Sequence, residues 1–362
     1  MIHIFIGTKA QYIKTAPVLR LLDKEGIAYN LVDSGQHAQI TRQLREELGL
    51  REPDIFIGGA GDISKIHEAA FWFFKNSLLA LFFPKKVFNS VFNGRKGICI
   101  IHGDTLSTLL SLFMAKRAGL KVGHIEAGLR SFNWFNPFPE EIVRVISMHF
   151  SDILFAPSDW AFSNLLKMKL KGRAINLKNN INYESLLFSL SKVRQADKNI
   201  NYCLVTIHRT ETILVRRRLN FVVKLLLDLA KERMVLFVVH KPTKIALEKF
   251  GLFGLLKNDN IELLEIMPHA DFIQKLKGAE FIITDGGSIQ EESFYLGIPC
   301  LLMRRKTERR EGLGENVFLC GFCEKKALNF LREFKKYRTN QVVLSSEQPS
   351  KIIFREISSF SS

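Results

Sequence analysis

Three carboxylates stand where a parallel-sheet protein does its chemistry. Asp104 lies in His102-Gly103-Asp104-Thr105 and Glu126 in His124-Ile125-Glu126-Ala127-Gly128-Leu129-Arg130, each just past a short apolar run. Glu140 follows in Pro139-Glu140-Glu141. Ligands of an open parallel sheet bind outside the carboxyl ends of its strands, so this spacing brings the three carboxylates to one crevice. Carboxylates that share a crevice repel and raise one another's pKa, which suits proton transfer.

Other polar clusters end strands in the same way. In Thr206-Ile207-His208-Arg209-Thr210-Glu211, His208 can carry a proton or donate to a phosphate, with Arg209 beside it. His240 ends another apolar run as a weaker candidate of the same kind. Gly7-Thr8-Lys9 turns a strand into a helix, where backbone N–H groups, Lys9 and Lys14 favour an anion. Thr284-Asp285-Gly286-Gly287-Ser288 repeats that logic: the glycines admit a close ligand, Ser288 can cap the helix, and Glu292 one turn inside can take ribose hydroxyls. Arg309, in Thr307-Glu308-Arg309, can fork to a carboxylate or a diphosphate. The Gly7 turn is not a G-x-G-x-x-G, so a nicotinamide cofactor is not indicated.

The elements that must position these groups alternate along the chain. Ile2 to Ile6, Tyr29 to Val32, Ile98 to Ile101, Leu120 to Val122 and Ile153 to Ala156 read as strands of a first half. Leu204 to Ile207, Leu236 to Val239, Phe281 to Thr284 and Pro299 to Met303 read as strands of a second. Helical stretches separate them, the rhythm of a parallel α/β sheet. Two Rossmann-like domains facing a central cleft are expected, over residues 1–165 and 166–339, with the lysine-rich stretch near 160–175 as connector.

The whole chain narrows the function. Its 362 residues suffice for two cores. A net charge of +16 favours anionic partners, but no compact basic stripe with interleaved aromatics appears, so no nucleic acid is expected. Five cysteines, among them a lone Cys320-x-x-Cys323, show no metal-ligand spacing and fit a reducing compartment. The opening Met1-Ile2-His3-Ile4-Phe5-Ile6-Gly7 lacks a basic leader and reads as the first strand of a cytoplasmic protein. Residues 69–93, dense in Phe and interrupted by Lys75, Pro84, Lys85 and Lys86, fit core-facing helices first. The alternative is a weak membrane-surface contact at the inner face of the membrane.

Taken together, these motifs resemble the UDP-N-acetylglucosamine 2-epimerase family. Gly7-Thr8, Gly35-Gln36-His37, His102-Gly103-Asp104-Thr105, His124 to Arg130, Pro139-Glu140-Glu141, His208-Arg209, Gln290-Glu291-Glu292 and Thr307-Glu308-Arg309 stand in the family's order over about residues 1–320. The resemblance implies a GT-B-like fold, with a C-terminal helix within about residues 340–362 packing back on the first domain. It implies a UDP-sugar substrate, a homodimer and no cofactor or metal. It also implies a mechanism: a base removes the C2 proton, UDP leaves from C1, and a 2-acetamidoglucal forms. UDP then re-adds with C2 inverted, giving UDP-N-acetylmannosamine for surface polysaccharide; in hydrolysing members water adds instead.

By the same resemblance Asp104, Glu126 and Glu140 match the acid/base carboxylates and His208 the cleft histidine. Lys14, Phe272, Glu292 and Arg309 match UDP contacts, and Gln36, Gln39, Arg209 and His240 match part of a second-substrate site. The sequence departs from the family pattern at Lys9, where arginine is usual, at the order Asp285-Gly286-Gly287-Ser288, at Thr210 and at Asn179-Asn180. The non-hydrolysing outcome is expected from the surroundings of Gly35-Gln36-His37 and Pro139-Glu140-Glu141. The alternatives are the hydrolysing outcome, a modified UDP-diacetamido sugar, a membrane-associated GT-B glycosyltransferase and a non-catalytic nucleotide-sugar binder.

Overall fold

The computed structural model describes residues 1–35, 38–58, 66–134, 137–193, 201–344 and 347–360. The chain forms two compact units, and the division falls between Ser185 and Leu186.

The first unit runs β1 (Ile2–Ile6), α1 (Lys9–Lys24), β2 (Tyr29–Asp33), α2 (Ala38–Leu48), β3 (Ile55–Phe56), α3 (Ile66–Phe82), α4 (Pro84–Val91) and β4 (Ile98–His102). It continues with α5 (Leu106–Arg117), β5 (Lys121–Ile125), α6 (Glu140–Phe150), β6 (Ile153–Ala156), α7 (Asp159–Met168) and β7 (Arg173–Asn176), and enters α8 (Asn182–Lys192). Seven parallel strands lie in the order β3-β2-β1-β4-β5-β6-β7. β1, β2 and β4 are buried at every position, as strands covered on both faces must be. The strand order reverses between β1 and β4, the switch point where doubly wound sheets bind ligands.

The first unit runs past residue 165. Arg173–Asn176, within the expected connector, pairs with β6 as the edge strand β7, which extends the unit to Ser185. Its half-exposed, polar sequence hides it from a search for apolar runs. The C-terminal helix of the chain, spanning Pro349–Ser358, belongs to this unit and packs on α1. There the Ser350 N–H and hydroxyl both donate to the Glu184 carboxylate.

The second unit runs β8 (Tyr202–Ile207), α9 (Thr210–Ile213), α10 (Arg216–Leu229), β9 (Met234–Val239), α11 (Lys241–Lys249), β10 (Ile261–Leu264) and α12 (His269–Gly278). β11 (Phe281–Thr284), α13 (Gly287–Leu296), β12 (Cys300–Leu302), β13 (Val317–Leu319) and α14 (Glu324–Glu333) complete it. Its six parallel strands lie in the order β10-β9-β8-β11-β12-β13, with the switch point between β8 and β11. A core of Val205, Phe237, Phe281, Ile283 and Phe330 joins the sheet to its helices.

The Phe-rich segment divides its two faces. Trp72, Ala80, Val87 and Phe92 enter the core beside β4 and α5. On the outer face Phe71, Phe74, Leu81, Phe82 and Phe83 stay exposed, with Lys75, Lys85 and Lys86. Among the described residues no helix is long and apolar enough to cross a membrane.

Candidate active site

In the first unit, Gln11 ties the two sides of the switch point together. Its Oε1 accepts from the N–H groups of Gly7 (2.7 Å) and Thr8 (3.1 Å). Its Nε2 donates to the His102 carbonyl (2.6 Å) and the Thr108 hydroxyl (3.0 Å). Thr8 caps α1 in a reciprocal capping box with Gln11, and Thr105 caps α5 with Thr108. The turns touch so closely that a Cβ on Gly7 would come within 2.2 Å of Ser107 Oγ. One expectation is corrected here. The Gly7 and Thr8 N–H groups at the start of α1 are taken by Gln11, so this turn does not offer them to an anion.

Glu126 follows β5 in the left-handed region, at φ +65°, unusual for a side chain with a Cβ. Lys14 places its ammonium 2.7 Å from Glu126 Oε1, and both side chains are buried. Asn180 Nδ2 donates to the same oxygen at 2.9 Å. His102 Nε2 stands 3.8 Å from Oε2, with its Nδ1 2.9 Å from the Thr15 hydroxyl. Asp104 ion-pairs with Arg144, a fully buried side chain of α6. Arg144 also donates to Glu141 Oε2 at 2.7 Å, and Arg130 holds Glu141 Oε1 at 2.6 Å.

Asp104 and Glu126 thus come with cations, where mutual repulsion was expected. Glu140 is half-buried in the first turn of α6, while the anchoring carboxylate of that motif is its neighbour Glu141. Burial raises the Glu141 pKa, but hydrogen bonds from Arg130 and the Ser131 N–H, with the charge of Arg144, take it below its ordinary value. His124 is buried and donates from Nε2 to the Gly103 carbonyl at 2.7 Å. Burial lowers its pKa to about 4, so it is neutral at physiological pH. Lys9 is half-buried at the first position of α1.

In the second unit, β8 and β11 deliver the candidates together. Asp285, fully buried, accepts from the His208 and Arg209 N–H groups, both at 3.0 Å. Its Oδ1 lies 3.5 Å from His208 Nδ1. Burial raises the Asp285 pKa against those hydrogen bonds. The His208 ring stacks on His240 at 4.7 Å. Burial, with Arg209's charge, holds the His208 pKa well below its ordinary value. A Cβ on Gly286 would reach 3.1 Å from His208 Cε1, and one on Gly287 would reach 2.8 Å from Arg309 Nε. Two glycines therefore let His208 and Arg309 approach the start of α13.

That helix start is uncapped by any side chain, and Gly286 is its N-cap. Ser288 lies one residue inside, which corrects its expected capping role. The end of β11 thus leads into a helix N-terminus whose N–H groups meet no side-chain cap. Arg309 ion-pairs with the buried Glu291, and Glu308 accepts from Arg304 at 2.9 Å while lying 3.9 Å from Arg209. Glu292 Oε1 accepts from His269 Nε2 at 3.0 Å. Phe272 sits half-buried on α12, one turn after His269.

Gln36 lies outside the described residues, and of Gln39 only its backbone place in α2 is described. Among the described residues no group of His, Cys, Asp or Glu is arranged to hold a metal ion.

The family model described as UDP-N-acetylglucosamine 2-epimerase matches residues 20–351. The chain belongs to the UDP-N-acetylglucosamine 2-epimerase family. A UDP-N-acetylglucosamine 2-epimerase of Methanococcus maripaludis is 31% identical over 355 residues, covering 92% of each chain. The crystal structure of Methanocaldococcus jannaschii UDP-GlcNAc 2-epimerase in complex with UDP-GlcNAc and UDP matches with a TM-score of 0.85 at 28% identity, covering 99% of each chain. A UDP-2,3-diacetamido-2,3-dideoxy-D-glucuronate 2-epimerase of Pseudomonas aeruginosa is 28% identical, with 84% of this chain and 83% of that protein covered. The α/β fold with its two parallel sheets is GT-B-like, as in the structures of this family.

Sequence reasoning had passed over Gln11, His102, His124, Glu141, Arg144 and Asn180 as working parts of this region. The signal for Gln11 was present: Thr8 followed three residues later by Gln is the pattern of a capping box. Glu141 and Arg144 are an i,i+3 pair on α6, while His102, His124 and Asn180 find their partners across the fold.

Proposed function

We propose that this chain is a non-hydrolysing UDP-N-acetylglucosamine 2-epimerase. The observation that carries the reading is the Glu126 carboxylate at the end of β5, held by Lys14 and Asn180 in a chain of this family. A sugar C2–H is a very weak acid, so its removal needs an ionised, fixed base. Lys14 and Asn180 favour the ionised form of Glu126 and fix its direction.

In the reaction, a carboxylate of the set Asp104, Glu126 and Glu140 takes the C2 proton. The C–H electron pair becomes a C1–C2 double bond, and the C1–O pair leaves with UDP. Re-addition of UDP to C1, with a proton delivered to the opposite face of C2, gives the mannosamine epimer. The departing diphosphate gathers charge, which the uncapped start of α13 at Gly286, Gly287 and Ser288 is suited to receive. Arg309 and Arg209 add positive charge there, and Lys9 is assigned to the same UDP. His208 supplies a hydrogen-bonding group there. Phe272 and Glu292 are assigned to the nucleoside. Gln36, Gln39 and His240 are assigned to a second substrate molecule, and the active form to a cytoplasmic homodimer.

Proton NMR of the purified protein with UDP-N-acetylglucosamine in D2O tests the reading. Deuterium at C2 with UDP-N-acetylmannosamine is the expected result. Deuterium in free N-acetylmannosamine with UDP would replace it by the hydrolysing reaction. The similarity to the diacetamido-glucuronate epimerase supports a second substrate class. Exchange with that sugar alone would move the specificity there. No exchange with either would sink the reading.

A further inference from the structure

We propose that Ser189 and His269 form a relay that positions the Glu292 carboxylate for the ribose hydroxyls of the nucleotide. The inference rests on the assignment of Glu292 to the nucleoside above and adds the two residues that aim it. Ser189 lies on α8, His269 at the first position of α12 and Glu292 in the second turn of α13, all within the second unit. The three are 2%, 6% and 3% exposed. The Ser189 hydroxyl is 2.7 Å from His269 Nδ1, and His269 Nε2 is 3.0 Å from Glu292 Oε1. A carboxylate only accepts, so Nε2 carries the proton that meets it. In the neutral ring Nδ1 is then the acceptor, and the Ser189 hydroxyl donates to it. Ser189 thus selects the tautomer that donates to Glu292.

The two nearby buried carboxylates are treated differently. Glu291 pairs with Arg309 and Glu308 with Arg304. Among the described residues no Lys or Arg lies within ion-pair distance of Glu292, and its partner is His269. A guanidinium fork can occupy both oxygens of a carboxylate, whereas one imidazole N–H fills a single acceptor position. The Glu292 carboxylate is therefore fixed in direction and keeps acceptor capacity. Vicinal ribose hydroxyls, two donors on one edge of a sugar, are the chemistry that uses it. The spacing along α13 agrees. Glu292 comes five residues after Gly287, about 7.5 Å along the helix axis. A diphosphate at the helix start places its ribose near that level. Phe272, the other nucleoside candidate, follows His269 by three residues and shares its side of α12.

Without His269, the carboxylate loses its buried donor and gains freedom to rotate. The share of affinity that comes from the ribose falls, while the share from base and diphosphate stays. A residue that only supports the fold would instead weaken every nucleotide alike. The ribose contact is the same in ground and transition states, so in turnover the loss falls on KM with kcat held.

The test is calorimetric titration of UDP and of 2′,3′-dideoxy-UDP into wild type, His269→Ala, His269→Gln and Ser189→Ala, each shown folded by thermal unfolding. The readout is the ratio of the two Kd values, which needs no turnover. Wild type is expected to prefer UDP by ~10- to 100-fold, the range for hydrogen bonds to a charged group. In His269→Ala most of that preference is lost, while Kd for the dideoxy nucleotide holds within about twofold. His269→Gln recovers much of the preference, because its amide can donate to the carboxylate. Ser189→Ala loses part of it, because Nδ1 is left without its donor. A preference kept in His269→Ala, or an equal loss of affinity for both nucleotides, overturns the relay. A preference lost in His269→Ala but kept in full in Ser189→Ala removes Ser189 from it. A wild type that binds both nucleotides equally, or neither, overturns the assignment of Glu292 to the ribose and the relay with it. A preference lost as expected, in a protein that exchanges no C2 proton from either sugar class, supports the relay and overturns only the epimerase reading.

Discussion

Glu141 shows how a motif can be read correctly for place and incompletely for division of labour. Pro139-Glu140-Glu141 puts two carboxylates into the first turn of α6, side by side in sequence. Consecutive helical residues point about 100° apart, so only one can meet Arg144, three residues on. That one is Glu141, which with Arg130 and Asp104 forms a buried network. Breaking it leaves charges without counter-ions, so Glu141→Gln is expected to cost about 3 kcal/mol at neutral pH. Its folded pKa is lowered, so the stabilisation is complete above its ordinary 4.5 and is lost as pH falls through the lowered value. Urea titrations between pH 7 and pH 2.5 should show wild type losing stability on acidification faster than the variant. Parallel curves would mean that Glu141 carries no such linkage.

At the scale of elements, the two strand-to-helix glycine turns look alike in sequence and differ in structure. The turn after β1 is capped by its own Gln11 and pressed against α5. The turn after β11 ends in an uncapped helix. The first is therefore tied into the switch point, while the second has no side-chain cap. Gly7→Ala should destabilise the protein by ~2 kcal/mol through overpacking against Ser107. Ser107→Gly removes the two atoms nearest the new methyl group, and the double variant should recover about half of that loss. Denaturation midpoints of the four proteins give the coupling, and simple additivity would refute the contact. The strands that the sequence reading missed, β3, β7, β10 and β13, have two to four residues each, and β3, β7, β10 and β13 are also the edges of the sheets. Edge strands are short and half-exposed, so they lack the apolar runs that mark central ones.

For the whole molecule, charge acts at long range. A net charge of +16 attracts an anion such as the nucleotide sugar of the proposed reaction through a field that salt screens. KM is expected to rise several-fold between ~20 and ~500 mM ionic strength while kcat holds. A KM indifferent to salt would confine recognition to short-range contacts. The same scale explains the Phe-rich segment. An apolar run carries no label for inside or outside, and only the packing of α3 on α5 decides that Trp72 enters the core while Phe74 does not.

The sequence by itself determined which residues stand at the carboxyl ends of strands. Apolar runs, glycines and capping residues act within a few positions, and local physics places Asp104, Glu126, His208 and Gly286 without reference to the rest of the chain. It also carried the family. Only the tertiary structure decided which charge meets which. Lys14 and Glu126 are 112 positions apart, and Asn180 comes 54 after Glu126. No local pattern encodes such pairs, because they form where the sheet brings β1, β5 and β7 into one layer. The partners that hold the Glu126 carboxylate are therefore written in the strand order of the folded sheet.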